Sequence, residues 1–141
     1  MSHICKAILF HCMDFRLIDK TREWMRSQGL LGDCDVVALA GASKEIVDGG
    51  QVARELLLKQ INISCELHKA CQVVLVHHSD CGAYKSTYNF SSPAEEKEKQ
   101  WADMKRAGEI IKESFPEIEI IKVWAQMQDG EGKDVLFQKV D

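Results

Sequence analysis

Cys12, Asp14 and Arg16 stand at every second position of the stretch FHCMDFR, directly after the short apolar run Ala7 to Phe10. A thiol, a carboxylate and a guanidinium so spaced form either a reactive group or a buried cysteine beside an ordinary ion pair. The stretch alone does not separate the two. A second group, HHSDCG, holds His78 and Cys81 at the spacing His-x-x-Cys. Across a tight turn that spacing lets an imidazole and a thiolate reach one ion; packing at a strand end is the alternative. With Cys12 as a third ligand the donors are two thiolates and one imidazole. That set suits zinc, with Zn–S about 2.3 Å and Zn–N about 2.0–2.1 Å, and three protein ligands leave a position for water, as catalytic sites do.

The elements around these residues read as an α/β fold, because short apolar runs alternate with segments of helical period. Ile4 to Phe10 forms a first strand. Ile18 to Ser27 follows as a helix, with Trp24 and Met25 facing inward and Gly29 as its stop. Asp35 to Ala40 is a second strand, apolar enough to be buried on both faces. The loop GASKEIVDGG leads to a helix from about Gln51 to Lys69, with Val52, Leu56, Leu57 and Ile61 at helical spacing. Gln72 to His77 is a third strand, followed by a loop to about Ser92. The next helix has a capping signature: Ser92 as cap, Pro93 at the first position and Glu95 completing the box. Its inner face is Trp101, Met104, Gly108 and Ile111; EEKEK, Glu95 to Lys99, reads as solvated, and Pro116 marks the end. Glu119 to Ala125 is a fourth strand. A Gly-rich turn, Gln128 to Asp134, returns the chain as an antiparallel strand, Val135 to Val140.

These elements predict a single domain over residues 1–141, with a mainly parallel sheet of order 2-1-3-4, a C-terminal antiparallel strand and helices on both faces. Ligands of open parallel sheets bind beyond the carboxyl ends of the strands. In this order the exits of the first and third strands are neighbours, which brings Cys12 beside His78 and Cys81.

Composition narrows the class. The 141 residues are 45% hydrophobic and 28% charged, as in a globular protein. A net charge of -4 and a pI near 5.7 argue against nucleic acid as partner. No apolar run is long enough to span a bilayer. The start of the chain lacks a signal-peptide pattern, so a cytoplasmic protein is expected. Six cysteines in a reducing compartment are then free thiols or metal ligands.

CMDFR and HHSDCG together resemble the two signatures of the β-class carbonic anhydrases, Cys-x-Asp-x-Arg and His-x-x-Cys-Gly. The wording CMD-x-RL with HH-x-DCG resembles a compact branch of that family. DVVALAGAS sits where the family has a strand ending in an Arg-Asn-Ala-Gly loop, and VWAQMQDGEGKDVLF resembles its final strand and hairpin. The likeness runs from Ile4 onward. It implies zinc held by Cys12, His78 and Cys81, with Asp14 and Arg16 as a dyad beside the metal. In the family this aspartate either pairs with the arginine or becomes a fourth ligand. The implied reaction is reversible hydration of carbon dioxide to bicarbonate, with zinc-bound hydroxide as nucleophile. Gly41, Ala42 and Gly82 are the implied substrate-side residues, and a homodimer or higher homo-oligomer the implied assembly. Ala38-Leu39 replaces the family's Arg-Asn, and only about four residues precede the first strand, where the family has helices that embrace a partner. A more apolar pocket would suit carbon disulfide or carbonyl sulfide; a zinc-binding protein without activity is the reading from another class.

Other residues have simpler readings. Cys5 is a small core residue, and Cys34, Cys65 and Cys71 lack metal-like spacing. His11 points away from Cys12 by strand alternation. His68 suits a helix C-terminus. His77 is structural or supports its neighbour, Asp80 caps the turn or orients a ligand, and Tyr84 and Tyr88 line the entrance or pack. GASK and DGEGK do not match a phosphate loop. Asn62-Ile63-Ser64 and Asn89-Phe90-Ser91 are glycosylation patterns without meaning in the cytoplasm.

Overall fold

The computed structural model describes residues 3–141. Its five strands are β1 (Ala7–His11), β2 (Cys34–Ala38), β3 (Gln72–His78), β4 (Glu119–Met127) and β5 (Val135–Val140). They form one sheet in the order β2-β1-β3-β4-β5. The first three pairings are parallel and β4–β5 is antiparallel, as the sequence predicts.

Alternation along the central strands builds two cores. Ile8 and Phe10 of β1 and Val73 and Leu75 of β3 face one side. There they meet α2 (Lys44–Asp48), α3 (Gly50–His68) and α5 (Pro93–Ser114), through Ile46, Leu57, Ile61, Ala107 and Ile111. Ala7, Leu9, Val74 and Val76 face the other side, against Met25 and Trp24 of α1 (Ile18–Ser27). Helices thus cover both faces.

Several local expectations change. β2 is apolar yet half exposed, with Val36 49% accessible, because it is the sheet edge and has a neighbour on one side only. On α3, Leu57 and Ile61 are buried while Val52 and Leu56 point outward. Two short helices, α2 and α4 (Gly82–Thr87), occupy segments that read as loops. On α5, Ser92 caps the Glu95 N–H as expected, but the Glu95 carboxylate accepts from Ser91 rather than closing a box on Ser92. Within the run expected to be solvated, Glu96 is buried. β1 begins later than expected, so Cys5 lies just outside it, half-buried rather than in the core.

Candidate metal centre

Cys12 is the first residue past β1, His78 the last of β3, and Cys81 the residue that opens α4. β1 and β3 pair in parallel, so their exits converge. All three side chains are buried, and their ligand atoms lie within 4.8 Å of one another. The His78 ring donates from Nδ1 to the Ser79 carbonyl at 2.6 Å, which leaves Nε2 as the acceptor. That Nε2 is buried and, among the described residues, has no hydrogen-bond partner. Leaving such a lone pair unpaired costs about 1–3 kcal/mol. A cation between the imidazole and the two sulfurs would satisfy it.

The sulfurs are prepared for positive charge. The hydrogen bond from Cys81, with His78 beside it, pulls the Cys12 thiol far below its ordinary range. The same pairing and burial push Cys81 up. Their pairing favours ionisation of Cys12 beside a Cys81 that keeps its proton. The Gly41 N–H faces the Cys12 sulfur, and the Ala83 and Tyr84 N–H groups face that of Cys81. A Cys-His-Cys set of this kind can bind a metal ion.

Asp14 lies beside this group, its Oδ2 3.9 Å from His78 Nε2. Its carboxylate is engaged by Arg16: Nε donates to both oxygens at 3.1 and 3.2 Å, and Nη2 to Oδ2 at 2.7 Å. The Arg16 backbone N–H donates to Oδ1 at 3.0 Å, capping the 3₁₀ turn Phe15–Leu17. Arg16 first, through these bonds, holds the Asp14 carboxyl below its usual range. The guanidinium is itself fixed by Asp80 Oδ2, the Asp80 carbonyl and the Gly130 carbonyl, each at 3.0 Å. Three segments distant in sequence thus hold one arginine.

The loop that supplies Gly130 is organised by Asp129, whose carboxylate accepts four backbone N–H groups, from Glu131 to Asp134. Gly132 is required there. At φ +80°, a Cβ on it would fall 1.9 Å from the Arg16 carbonyl oxygen.

A buried network stands behind His78 and Cys81, of which the sequence reading has only His77, as a structural or supporting group. Gln100 Nε2 donates to the His78 carbonyl and to Glu96 Oε2, each at 2.8 Å. Glu96 Oε2 also accepts the Cys81 N–H at 2.9 Å. Gln100 Oε1 accepts from His77 Nδ1 at 3.0 Å, so His77 Nε2 is the acceptor for the Ser43 hydroxyl at 2.7 Å. Burial lowers the His77 pKa to about 4, so this ring is neutral near pH 7. The available signal was helical: Glu96, Gln100 and Asp103 share a face with the apolar Met104. The charge run around Glu96 hid it. Tyr84 belongs to this interior as well, donating to Asp103 at 2.9 Å.

The group opens onto a cleft of about 550 Å³. Asp14 and Arg16 form its polar wall, and Met13, Phe15, Ala40 and Ala83 its apolar lining. Gly82 lines it too; from the β2 exit the lining residue is Ala40. Gly41 instead packs its Cα against Lys44 and Ala83, and Ala42 is fully buried.

An uncharacterized protein of Rickettsia bellii is 35% identical over 118 residues, which cover 81% of this chain and 72% of the relative. A carbonic anhydrase of Streptococcus mutans has the same fold, with a TM-score of 0.65 at 20% identity over 100% of this chain and 86% of that one. One of two tetrameric β-carbonic anhydrases from Sordaria macrospora also scores 0.65, at 14% identity over 99% and 82% of the two chains. The family described as "Putative carbonic anhydrase" matches residues 2–133, nearly the whole sequence with both motifs inside, and the chain belongs to that family.

Proposed function

We propose that the protein is a zinc-dependent carbonic anhydrase that interconverts carbon dioxide and bicarbonate. The observation that carries this reading is the orphaned His78 Nε2, buried with two thiols and 3.9 Å from Asp14 Oδ2. A site meant only to stabilise the fold has no use for an acid–guanidinium dyad at its open side. Cys12, His78 and Cys81 would hold the ion. Zinc bound there would supply a water that ionises near neutral pH.

The chain's own residues do the rest. Asp14, kept anionic by Arg16, would accept a hydrogen bond from a water held there and aim it toward the cleft. Because Asp14 pairs with Arg16, its carboxylate is held on the guanidinium and would leave room for a water at the Cys-His-Cys group. Arg16 also keeps Asp14 from taking the proton, which must leave to solvent past Asp80 and Lys85 at the cleft mouth. Met13, Phe15, Ala40 and Ala83 give an apolar lining suited to a small, unpolarised substrate such as carbon dioxide. Gly82 completes the substrate side in this proposal, while Gly41 and Ala42, which do not line the cleft, hold the turn behind it. The lining also suits carbon disulfide, which becomes the second substrate to assay.

Stopped-flow carbon dioxide hydration of the zinc-loaded protein tests the reading. Two thiolates would neutralise the dication, so a water bound there would be less acidic than with three histidines. Asp14 has a depressed pKa and stays ionised throughout the neutral and alkaline range. A rise in rate above pH 7 therefore belongs to the water. A zinc-loaded protein with no hydration above background, or a flat profile from pH 7 to 9, contradicts the proposal.

We further propose a homo-oligomer. Val52, Leu56, Ile63 and Leu67 form one exposed stripe along α3, and Val36 is exposed on the edge strand. An apolar stripe beside an open sheet edge is suited to a second copy of the chain. The six free thiols accord with a reducing, cytoplasmic setting. Among the described residues no helix is long and apolar enough to cross a membrane.

A further inference from the structure

At the opposite end of the strands a second donor group has gathered. Cys5 lies just before β1, Asp35 on β2, and His68 at the last position of α3. Their ligand atoms lie within 4.8 Å of one another, and each residue is half-buried, open to solvent on one side. The Cys5 thiol donates to Asp35 Oδ2 at 3.6 Å, His68 Nδ1 approaches the same oxygen at 2.7 Å, and the Ser64 hydroxyl donates to it at 2.7 Å. All three bonds converge on one carboxylate oxygen.

The backbone fixes this arrangement. The Cys5 N–H donates to the His68 carbonyl at 2.8 Å, so two donor residues are tied directly. Asp35 is opposite Ile8 in the β1–β2 register, and the Lys6 N–H donates to the Asp33 carbonyl at 3.0 Å. Two readings compete with a ligand site. A helix-end tether needs Asp35 and His68 but gives no reason for a thiol. A nucleophilic cysteine needs a lowered pKa, whereas burial raises that of Cys5.

We infer that Cys5, Asp35 and His68 form a second, surface-accessible zinc site, distinct from the buried centre. A thiolate, a carboxylate and an imidazole are all zinc donors, and three of them leave a fourth position for solvent. Binding releases the Cys5 thiol proton to solvent. The thiolate and carboxylate then balance the two charges of the cation. Ser64 keeps its bond to Asp35 and holds the carboxylate in place, the role that groups behind metal ligands commonly fill. The site joins the start of β1, the edge strand and the end of α3, so occupancy stiffens that pole of the sheet.

Zinc stoichiometry and thermal melting of the full chain test this. The wild type, equilibrated with excess zinc and freed of unbound ion, should carry two zinc ions per chain. Cys5→Ser and His68→Gln should each carry one and keep the wild-type hydration rate and circular dichroism. Zinc added beyond one equivalent should raise the melting temperature of the wild type and not of the two variants. A wild type that binds a single zinc, or a second zinc retained by both variants, overturns the inference. Because zinc binding is counted independently of turnover, its failure is separable from failure of the carbonic anhydrase reading.

Discussion

Glu96 shows what a single buried residue contributes. It bridges the Cys81 N–H and Gln100, and Gln100 in turn holds the His78 carbonyl, so one carboxylate steadies the backbone at His78 and Cys81. Glu96→Ala would leave both donors unpaired, at a cost of about 1–3 kcal/mol each. We expect it to weaken zinc binding by about 10–100-fold, the usual effect of losing a group that supports a ligand. Competition with a chromophoric chelator measures this; affinity equal to wild type would contradict the role assigned to Glu96. At the dyad, Asp14→Asn should retain zinc and lose about 10–100-fold in kcat/KM. Zinc lost with the substitution would mean that Asp14 is a ligand rather than an orienter. The Cys12-His78-Cys81 group and the Asp14–Arg16 pair were legible in the sequence because each motif is local: one residue separates Asp14 from Arg16, two separate His78 from Cys81. Ser43, Glu96 and Gln100 were not, because their partners at His77, His78 and Cys81 lie 15 to 34 residues away; His77 reads as a structural or supporting group, without those partners. Cys5 was misread for the same reason, its partner Asp35 being 30 residues away.

Among elements, the β4–β5 loop does most to hold the dyad from outside. Asp129 ties four N–H groups, and these bonds hold its carboxyl below the usual 3.8. A depressed folded pKa means that its contribution is present above about pH 3.8 and lost as pH falls through the lower folded value. Asp129→Ala should therefore lower the urea midpoint at pH 7 and reduce hydration by releasing Gly130 from Arg16. The difference in midpoint should shrink on acidification below pH 4; a difference constant with pH would place the effect elsewhere. Strand order and the hairpin were readable from apolar alternation and the Gly-rich turn. The helices α2 and α4 were not, since five and six residues carry too little periodicity to stand out from a loop. The edge position of β2 was implied by the strand order, yet its unbroken apolar sequence suggested burial. Val36 resolves the conflict if the edge is covered in the assembly.

The whole molecule carries that argument further. The stripe of α3 and the open β2 edge predict that the wild type sediments as a dimer or larger at micromolar concentration. Leu56→Glu with Leu67→Glu should shift it to a monomer with its secondary structure retained. A wild type that sediments as a monomer would remove the stripe as an interface.

The account rests on a metal at Cys12, His78 and Cys81 with a position left for water. Zinc K-edge absorption on protein carrying one equivalent of zinc tests this most directly. The account predicts two sulfurs at about 2.3 Å and two light atoms at about 2.0–2.1 Å, one of them imidazole nitrogen. The second light atom should persist as oxygen in Asp14→Asn, which marks it as water. A shell with fewer than two sulfurs, or one that loses its oxygen with Asp14, would contradict it.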